Sequence, residues 1–340
     1  MLAQVIEETD ELDELGNDPW DDAWFEGDRW SPETYEEDLI FSSAVNTNAS
    51  RISQLRPSQF TEFAFRMPRE FKEVENETEE EWEARIKALE DAKQDLNFAP
   101  FSFEERPYMR RIYDTPARRV LLMCARQVEK STLLGNIALC YMSLVPSFKL
   151  LYVNSSATQA KTFSNDRVKE PIETSPVLKK FTTQMLSSNI LEKQFVNRSK
   201  ITMRYAFLNA DRTRGIPATG LEIDEFQDVL ASNIPVIEQC TAHANPRHKR
   251  FWYAGTPKSL DNNIEKYWAD RSTQNQWVVP HDCKGGEGGR HWNILGEGNI
   301  GKRSLVCNNV KCKQPIHPMA DGATWGSQQK MTIDKATGKP

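Results

Sequence analysis

The sequence predicts an α/β fold: a mostly parallel sheet covered by helices on both faces. From residue 115 onward, short apolar runs alternate with segments of helical periodicity, the pattern of strands linked by crossover helices. One run, "RRVLLMC", reads as a strand buried on both sides. At 340 residues and 39% apolar, the chain can bury one large core with appendages around it.

Residues 1–60 form an acidic, aromatic extension. Its first 40 residues hold 15 Asp or Glu against a single Arg29, interleaved with Trp20, Trp24, Phe25 and Trp30. Aromatics among carboxylates suggest a segment that folds on a partner, and a solvated tail is the plainer alternative. Removing that head leaves a body, 41–340, with 42 basic and 34 acidic residues. Such a body permits nucleic-acid contact without requiring it.

Between Pro68 and Leu96 a Glu/Lys/Ala-rich stretch places Trp82, Ile86 and Leu89 at helical spacing, predicting a charged helix packed on one face. An aromatic loop, "FAPFSFEERPYMRRIYDT", leads to the strand Arg119–Cys124. A helix from Ser131 through Met142 follows, then a strand over 148–156 and a helix from about Ala157 to Thr174. "FVNRSKITMRYA" reads as a hairpin turning at Asn197-Arg198. "TGLEIDEFQDV" holds another strand, followed by a helix to about Cys240, and "KRFWYAGTP" holds a further strand. No internal repeat is present. No apolar run of about 18 residues exists, so no membrane span is expected. The N-terminus has neither the basic region nor the apolar core of a signal peptide. Six cysteines, three of them late, fit a reducing compartment.

Three of the expected strands end in residues that carry chemistry. After Arg119–Cys124 comes "ARQVEKST", with Lys130-Ser131-Thr132 at the head of a helix. In a phosphate-binding loop the lysine neutralises phosphate charge, the hydroxyl ligates magnesium, and glycines allow close backbone approach. Here Cys124 and Glu129 stand where glycines are expected, and Glu129 needs an outlet toward solvent or a cation such as Arg126. The second site, "LEIDEFQD", ends an apolar strand in Asp224-Glu225. The first carboxylate suits magnesium and the second an attacking water. Third, "AGTPKS" ends a strand at Gly255-Thr256-Pro257, where Thr256 can sense a terminal phosphate. Together the three predict a P-loop NTPase of RecA/ASCE-like type, spanning 61–275 and including the charged helical part.

As a set, "ARQVEKST", "LEIDEFQD" and "AGTPKS" resemble the large terminase subunit of tailed bacteriophages over about residues 95–275, with Arg126-Gln127 the most telling pair. The resemblance implies magnesium-dependent ATP hydrolysis coupled to movement of double-stranded DNA into a procapsid. It implies a homo-oligomeric ring, a pentamer, docked on the portal protein in the host cytoplasm, with a small terminase subunit as partner and no membrane. It implies that Gln127, Glu129, Lys130, Ser131 and Thr132 surround the phosphates. Magnesium would lie between Ser131 and Asp224, Glu225 would be the catalytic base, and Thr256 would belong to the coupling motif. Arg126 would stabilise charge in its own subunit and Arg214 would reach into a neighbour's site. Phe101, Phe103 and Arg106 would line the adenine pocket. Each arginine and aromatic also has a plain reading, as a loop charge or as core packing.

Large terminases usually carry a nuclease domain. The chain ends at Pro340, so segment 276–340 is expected to lead toward a nuclease domain that is absent, and DNA cutting is not expected. That segment holds His281-Asp282-Cys283 and Cys307-x4-Cys312, with His291 and His317 nearby. Three thiols and an imidazole make a zinc set of His281, Cys283, Cys307 and Cys312, or the same cysteines with another of the histidines. Free cysteines in a linker are the alternative. The competing functions are a helicase or translocase of another P-loop class, whose second motor domain has no residues left here, and a non-catalytic DNA-binding packaging protein.

Overall fold

The computed structural model describes residues 4–8, 55–69, 71, 78–92, 94–182, 187–206, 208–259, 262–283 and 290–327. Trp20, Trp24, Phe25, Arg29 and Trp30 of the acidic head lie outside the described residues.

Thirteen strands are described: β1 Gln4–Glu8, β2 Arg66–Pro68, β3 Phe98–Pro100, β4 Arg119–Met123, β5 Lys149–Asn154, β6 Ser187–Asn189, β7 Glu192–Gln194, β8 Lys200–Tyr205, β9 Gly220–Ile223, β10 Arg250–Gly255, β11 Asn275–Asp282, β12 Arg290–Ile294 and β13 Thr324–Ser327. β2 and β3 pair alone, and the rest form one sheet. Its centre runs β4-β10-β9-β5-β8, all parallel, with Gly255 beside Met123 and Arg250 beside Gly220. Antiparallel strands extend both edges: β1 and then β11, β12 and β13 beside β4, and β7 and β6 beside β8.

The strands alternate their side chains between two apolar layers. Val120, Leu122, Leu150, Tyr152, Trp252 and Ala254 face the helix Lys130–Leu144 and the 55–113 region. Leu121, Met123, Leu151, Val153, Leu221 and Ile223 face the loops of 206–240 and the helix Asn263–Arg271. Period-two alternation in strands covered on both faces explains why the runs are continuously apolar. The helix Lys130–Leu144 buries twelve of its fifteen residues, so it is apolar nearly all round rather than amphipathic.

Three elements depart from expectation. The charged helix forms over Glu79–Asp91, capped by Thr78, whose hydroxyl accepts from the Glu81 N–H, but none of its residues is buried. Trp82 meets Phe71 edge-on at 5.1 Å and stays exposed, because three apolar residues make too narrow a stripe to seat the helix. The helix expected over 157–174 is helical at both ends and a π-helix over Phe163–Lys169. Pro171 has no N–H for the carbonyl of Arg167, so the regular ladder breaks there. That carbonyl faces Gly135, where a Cβ would sit only 2.6 Å from it. After Asp224-Glu225, short turns and the five-residue helix Ile234–Glu238 replace the single helix expected to Cys240.

β11 bridges residues 275 and 282 and pairs with β1, β12 and β13, so the C-terminal segment is continuous with the central sheet. Trp277 and Trp325 belong to the main apolar layer, and the Trp325 indole donates to the Tyr108 carbonyl at 2.8 Å.

Candidate functional site

Because the five central strands are parallel, their C-terminal ends lie along one edge of the sheet, and the three motifs follow β4, β9 and β10 there. The loop after β4 turns into the helix at Lys130 through Glu129, which has φ +58°, with Gln127 also positive at +62°. The backbone therefore takes the left-handed conformation that glycine adopts freely, with a non-glycine residue in place. Such strain costs on the order of 1–2 kcal/mol and gathers at functional sites. The Glu129 carboxylate finds its cation in Arg106, at 3.0 Å, and not in Arg126, which stands exposed on the loop.

The Ser131 hydroxyl donates to Asp224 Oδ2 at 3.0 Å, and Lys130 Nζ lies 4.0 Å from Glu225 Oε1. Two residues absent from the sequence expectation complete this cluster. The Tyr152 hydroxyl, within β5, donates to Asp224 Oδ2 at 3.1 Å and accepts from Asn154, at the end of that strand, at 3.2 Å. Burial, and then the charge of Asp224, hold the Tyr152 phenol protonated well above its ordinary range, so it remains a donor. Burial and the neighbouring Glu225 charge raise the Asp224 carboxyl, while the Glu225 N–H, Ser131 and Lys130 oppose the rise. Glu225 itself sits at φ +49°, its N–H donating to Asp224 Oδ1 at 3.0 Å.

Gln227 is the second addition. Its Nε2 donates to Glu225 Oε2 at 2.5 Å, and its Oε1 accepts the Thr256 N–H at 3.1 Å. It thereby ties the second strand end to the third. A Cβ at Gly255 would collide with Gln227 Oε1, so glycine where β10 ends lets Gln227 keep its position. Thr256 Oγ1 is buried without a hydrogen-bond partner. The only advance signal for Gln227 was its place within "DEFQD"; nothing marked Tyr152.

Beside the loop opens a cavity of about 270 Å³, lined by Met67, Phe101, Arg106, Glu129, Thr132 and Asn136 and flanked by the π-helical turn. Phe103 is buried behind it, edge-on to Phe101 and Tyr113 at 5.0 Å each. Arg214 is not gathered into the cluster; it is exposed and paired with Asp211 at 3.2 Å. His281, Cys307 and Cys312 meet in a separate cluster near Cys283.

A hydroxyl and a carboxylate oxygen held 3.0 Å apart are hard donors of the kind magnesium takes, so the residues present fit that ion. The fold is an α/β domain whose mostly parallel sheet carries a polar cluster at its strand ends. Residues 97–318 match the family model described as phage terminase large subunit gpA, ATPase domain, and the chain belongs to that family. None of the curated proteins compared with the chain matches it. Among solved structures, it is similar to the large terminase ATPase domain of Thermus phage P74-26, at 19% identity, 52% of this chain, 70% of that chain and TM-score 0.39. The large terminase of bacteriophage HK97 is similar at 16% identity, 52% of this chain, 37% of that chain and TM-score 0.41. The large terminase of a thermophilic bacteriophage, in complex with ADP, is similar at 12%, 43%, 35% and 0.32 respectively. These likenesses are partial, and membership rests on the family match. Among the described residues no helix is long and apolar enough to cross a membrane.

Proposed function

We propose that this chain is the magnesium-dependent ATPase of a packaging motor that drives double-stranded DNA into a procapsid. One observation carries the reading. Lys130 and Ser131, at the head of a buried helix, face Asp224 and Glu225 at the end of the next-but-one strand, with contacts of 4.0 and 3.0 Å.

In this reading the N–H groups of the loop from Gln127 to Thr132 cradle the phosphates at the helix N-terminus. Lys130 neutralises charge on the terminal phosphate. Ser131 and Asp224 would hold magnesium, which would supply electrostatic stabilisation of the transferring phosphoryl group. Glu225 orients and deprotonates the attacking water. Gln227 holds the Glu225 carboxylate and reports on Thr256, whose unpartnered hydroxyl faces the loss of the terminal phosphate. The cavity walled by Phe101 and Arg106 takes the adenine, with Phe103 supporting Phe101 from behind. In the same reading Arg126, exposed on the loop, stabilises charge in its own subunit, and Arg214, exposed on the surface, reaches into a neighbour's site.

The basic balance of 41–340 suits contact with DNA phosphates, which is salt-dependent and carries little base readout. A ring on the portal vertex, with a small terminase subunit selecting the DNA, supplies the multiplicity that a single subunit lacks.

The test is steady-state ATP turnover with magnesium for wild type, Lys130→Ala and Glu225→Gln, with and without double-stranded DNA. Turnover falls by about 10²–10³ in each variant while circular dichroism stays unchanged. Wild-type turnover that survives both substitutions would remove the assigned site.

A further inference from the structure

The second cluster of reactive side chains, far along the chain from the nucleotide site, is built around sulfur. His281 is the penultimate residue of β11, and Cys283 follows two residues on, so both leave the strand on one side. Cys307 and Cys312 bracket a tight turn, in which Cys312 N–H donates to the Asn309 carbonyl at 2.9 Å and Lys311 N–H to Asn309 Oδ1 at 3.0 Å. Cys307 N–H donates to the Gln314 carbonyl at 2.8 Å, closing the turn into a knuckle with Lys313 at φ +51°.

The ligating atoms of His281, Cys307 and Cys312 lie within 4.8 Å of one another. Cys312 Sγ is 3.2 Å from His281 Nε2, and Asn309 Nδ2 donates to Cys283 Sγ at 3.5 Å. Zinc bound about 2.3 Å from sulfur and about 2.0 Å from nitrogen places neighbouring ligands about 3.5 Å apart. Cys283, Cys307 and Ile316 are buried together, with Leu295, Leu305 and Cys312 packed around them. Three of those six side chains are thiols, which leaves three aliphatic side chains in this cluster. None of the six cysteines of the chain is in a disulfide.

We propose that His281, Cys283, Cys307 and Cys312 bind one structural zinc ion that fastens the knuckle of 296–317 to the end of β11. Thiolate and imidazole donors select zinc over the hard cations of the nucleotide site. Four protein ligands close the coordination sphere, so the ion is structural rather than catalytic. The three-thiolate complex would carry one negative charge, and Lys302, Arg303, Lys311 and Lys313 lie on the ligand-bearing loops. The other two histidines are engaged elsewhere: His291 Nε2 meets Asn308 Oδ1, and His317 Nδ1 accepts the Met319 N–H. This proposal does not depend on the packaging reading, and its test does not use ATP.

The experiment measures zinc per chain by elemental analysis of the full chain, purified with reductant and freed of loose metal by gel filtration. One zinc per chain is expected for wild type, His291→Ala and His317→Ala, and less than a tenth for the Cys307→Ser/Cys312→Ser double variant. Because that variant can fail to fold, wild type is also loaded with cobalt(II), where thiolate charge transfer and intense tetrahedral ligand-field bands are expected. His281→Cys should keep one metal and shift those bands toward a four-sulfur spectrum. Wild type without zinc and without the cobalt spectrum, a double variant retaining full zinc, or a Cys307–Cys312 disulfide in freshly reduced protein would each overturn the assignment.

Discussion

The strand-end cluster and the C-terminal knuckle are both polar sites, and they are held in place by opposite means. Beneath Asp224 and Ser131 lies an apolar layer that includes Trp252, Tyr152, Leu133 and Leu134, all fully buried. There the core holds the chemistry. At the knuckle the aliphatic side chains packed around the thiols are Ile316, Leu295 and Leu305. Burying such side chains contributes about 1.5–3 kcal/mol each, against about 1–2 kcal/mol per residue to order the backbone. There the chemistry must hold the fold.

The largest effect expected from that contrast follows removal of metal. Structural zinc contributes about 10–16 kcal/mol to small domains. Stripping the metal with a chelator should abolish amide-exchange protection over 296–317 and leave β4, β9 and β10 protected. Loss of protection in the central strands as well would show that the two regions share one stability and end the comparison.

Next comes Gln227, which ties two strand ends together inside the rigid site. Gln227→Ala leaves the Thr256 N–H and the Glu225 carboxylate without their shared partner. Turnover should fall about 10–100-fold with KM nearly constant, as for a lost orienting contact to a catalytic base. A change confined to KM would place Gln227 in nucleotide binding instead.

Glu222 tests how dry the sheet is. Its side chain is fully buried between Tyr152 and Trp252 on the neighbouring strands, and neither carboxylate oxygen has a partner. Burial, and then the Asp224 charge, raise its pKa well above 4.5. The folded chain therefore keeps a proton that the unfolded chain releases above about pH 4.5, so stability is lost as pH climbs toward the folded pKa. Glu222→Gln removes that titration, and its stability relative to wild type should rise by up to about 1.4 kcal/mol per pH unit across that window. Parallel denaturation curves at pH 5, 7 and 9, with no divergence, would mean water reaches Glu222.

The smallest effect separates strain from charge at Glu129. Glu129→Ala and Glu129→Gly both remove the Arg106 ion pair, but only glycine relaxes the positive φ. The glycine variant should be the more stable by about 1 kcal/mol in thermal unfolding. Equal melting temperatures would show that the loop rearranges once Arg106 is released.

Some of this was legible from residues alone, and the pattern of misses has a physical cause. β4, β5, β9 and β10 were readable because continuously apolar runs mark strands covered on both faces. The three motifs were readable because each immediately follows such a run. The charged helix was readable through its composition and spacing, while its Thr78–Glu81 cap went unread and its lack of a seat was not legible, since seating depends on a facing surface. Arg106 as the partner of Glu129 and Tyr152 as the donor to Asp224 are separated from them by 23 and 72 residues, and no local pattern reports such meetings. His281, His291 and His317 looked equivalent as metal ligands until the fold of the 307–312 turn put Cys312 beside His281 and Asn308 beside His291.

The sequence by itself determined the alternation of strands and helices, the order of the lysine–serine, carboxylate and threonine motifs, and the stock of thiols near the C-terminus. Each is written in periodicity and neighbouring residues, which fix backbone dihedrals and the buried face. Tertiary structure alone decided that β4, β10, β9 and β5 lie side by side with their ends aligned, that Gln227 spans two of those ends, and that β11 joins the same sheet. Those outcomes depend on which surfaces meet through space, and burial energy constrains how much apolar area is covered without naming the residue that covers it.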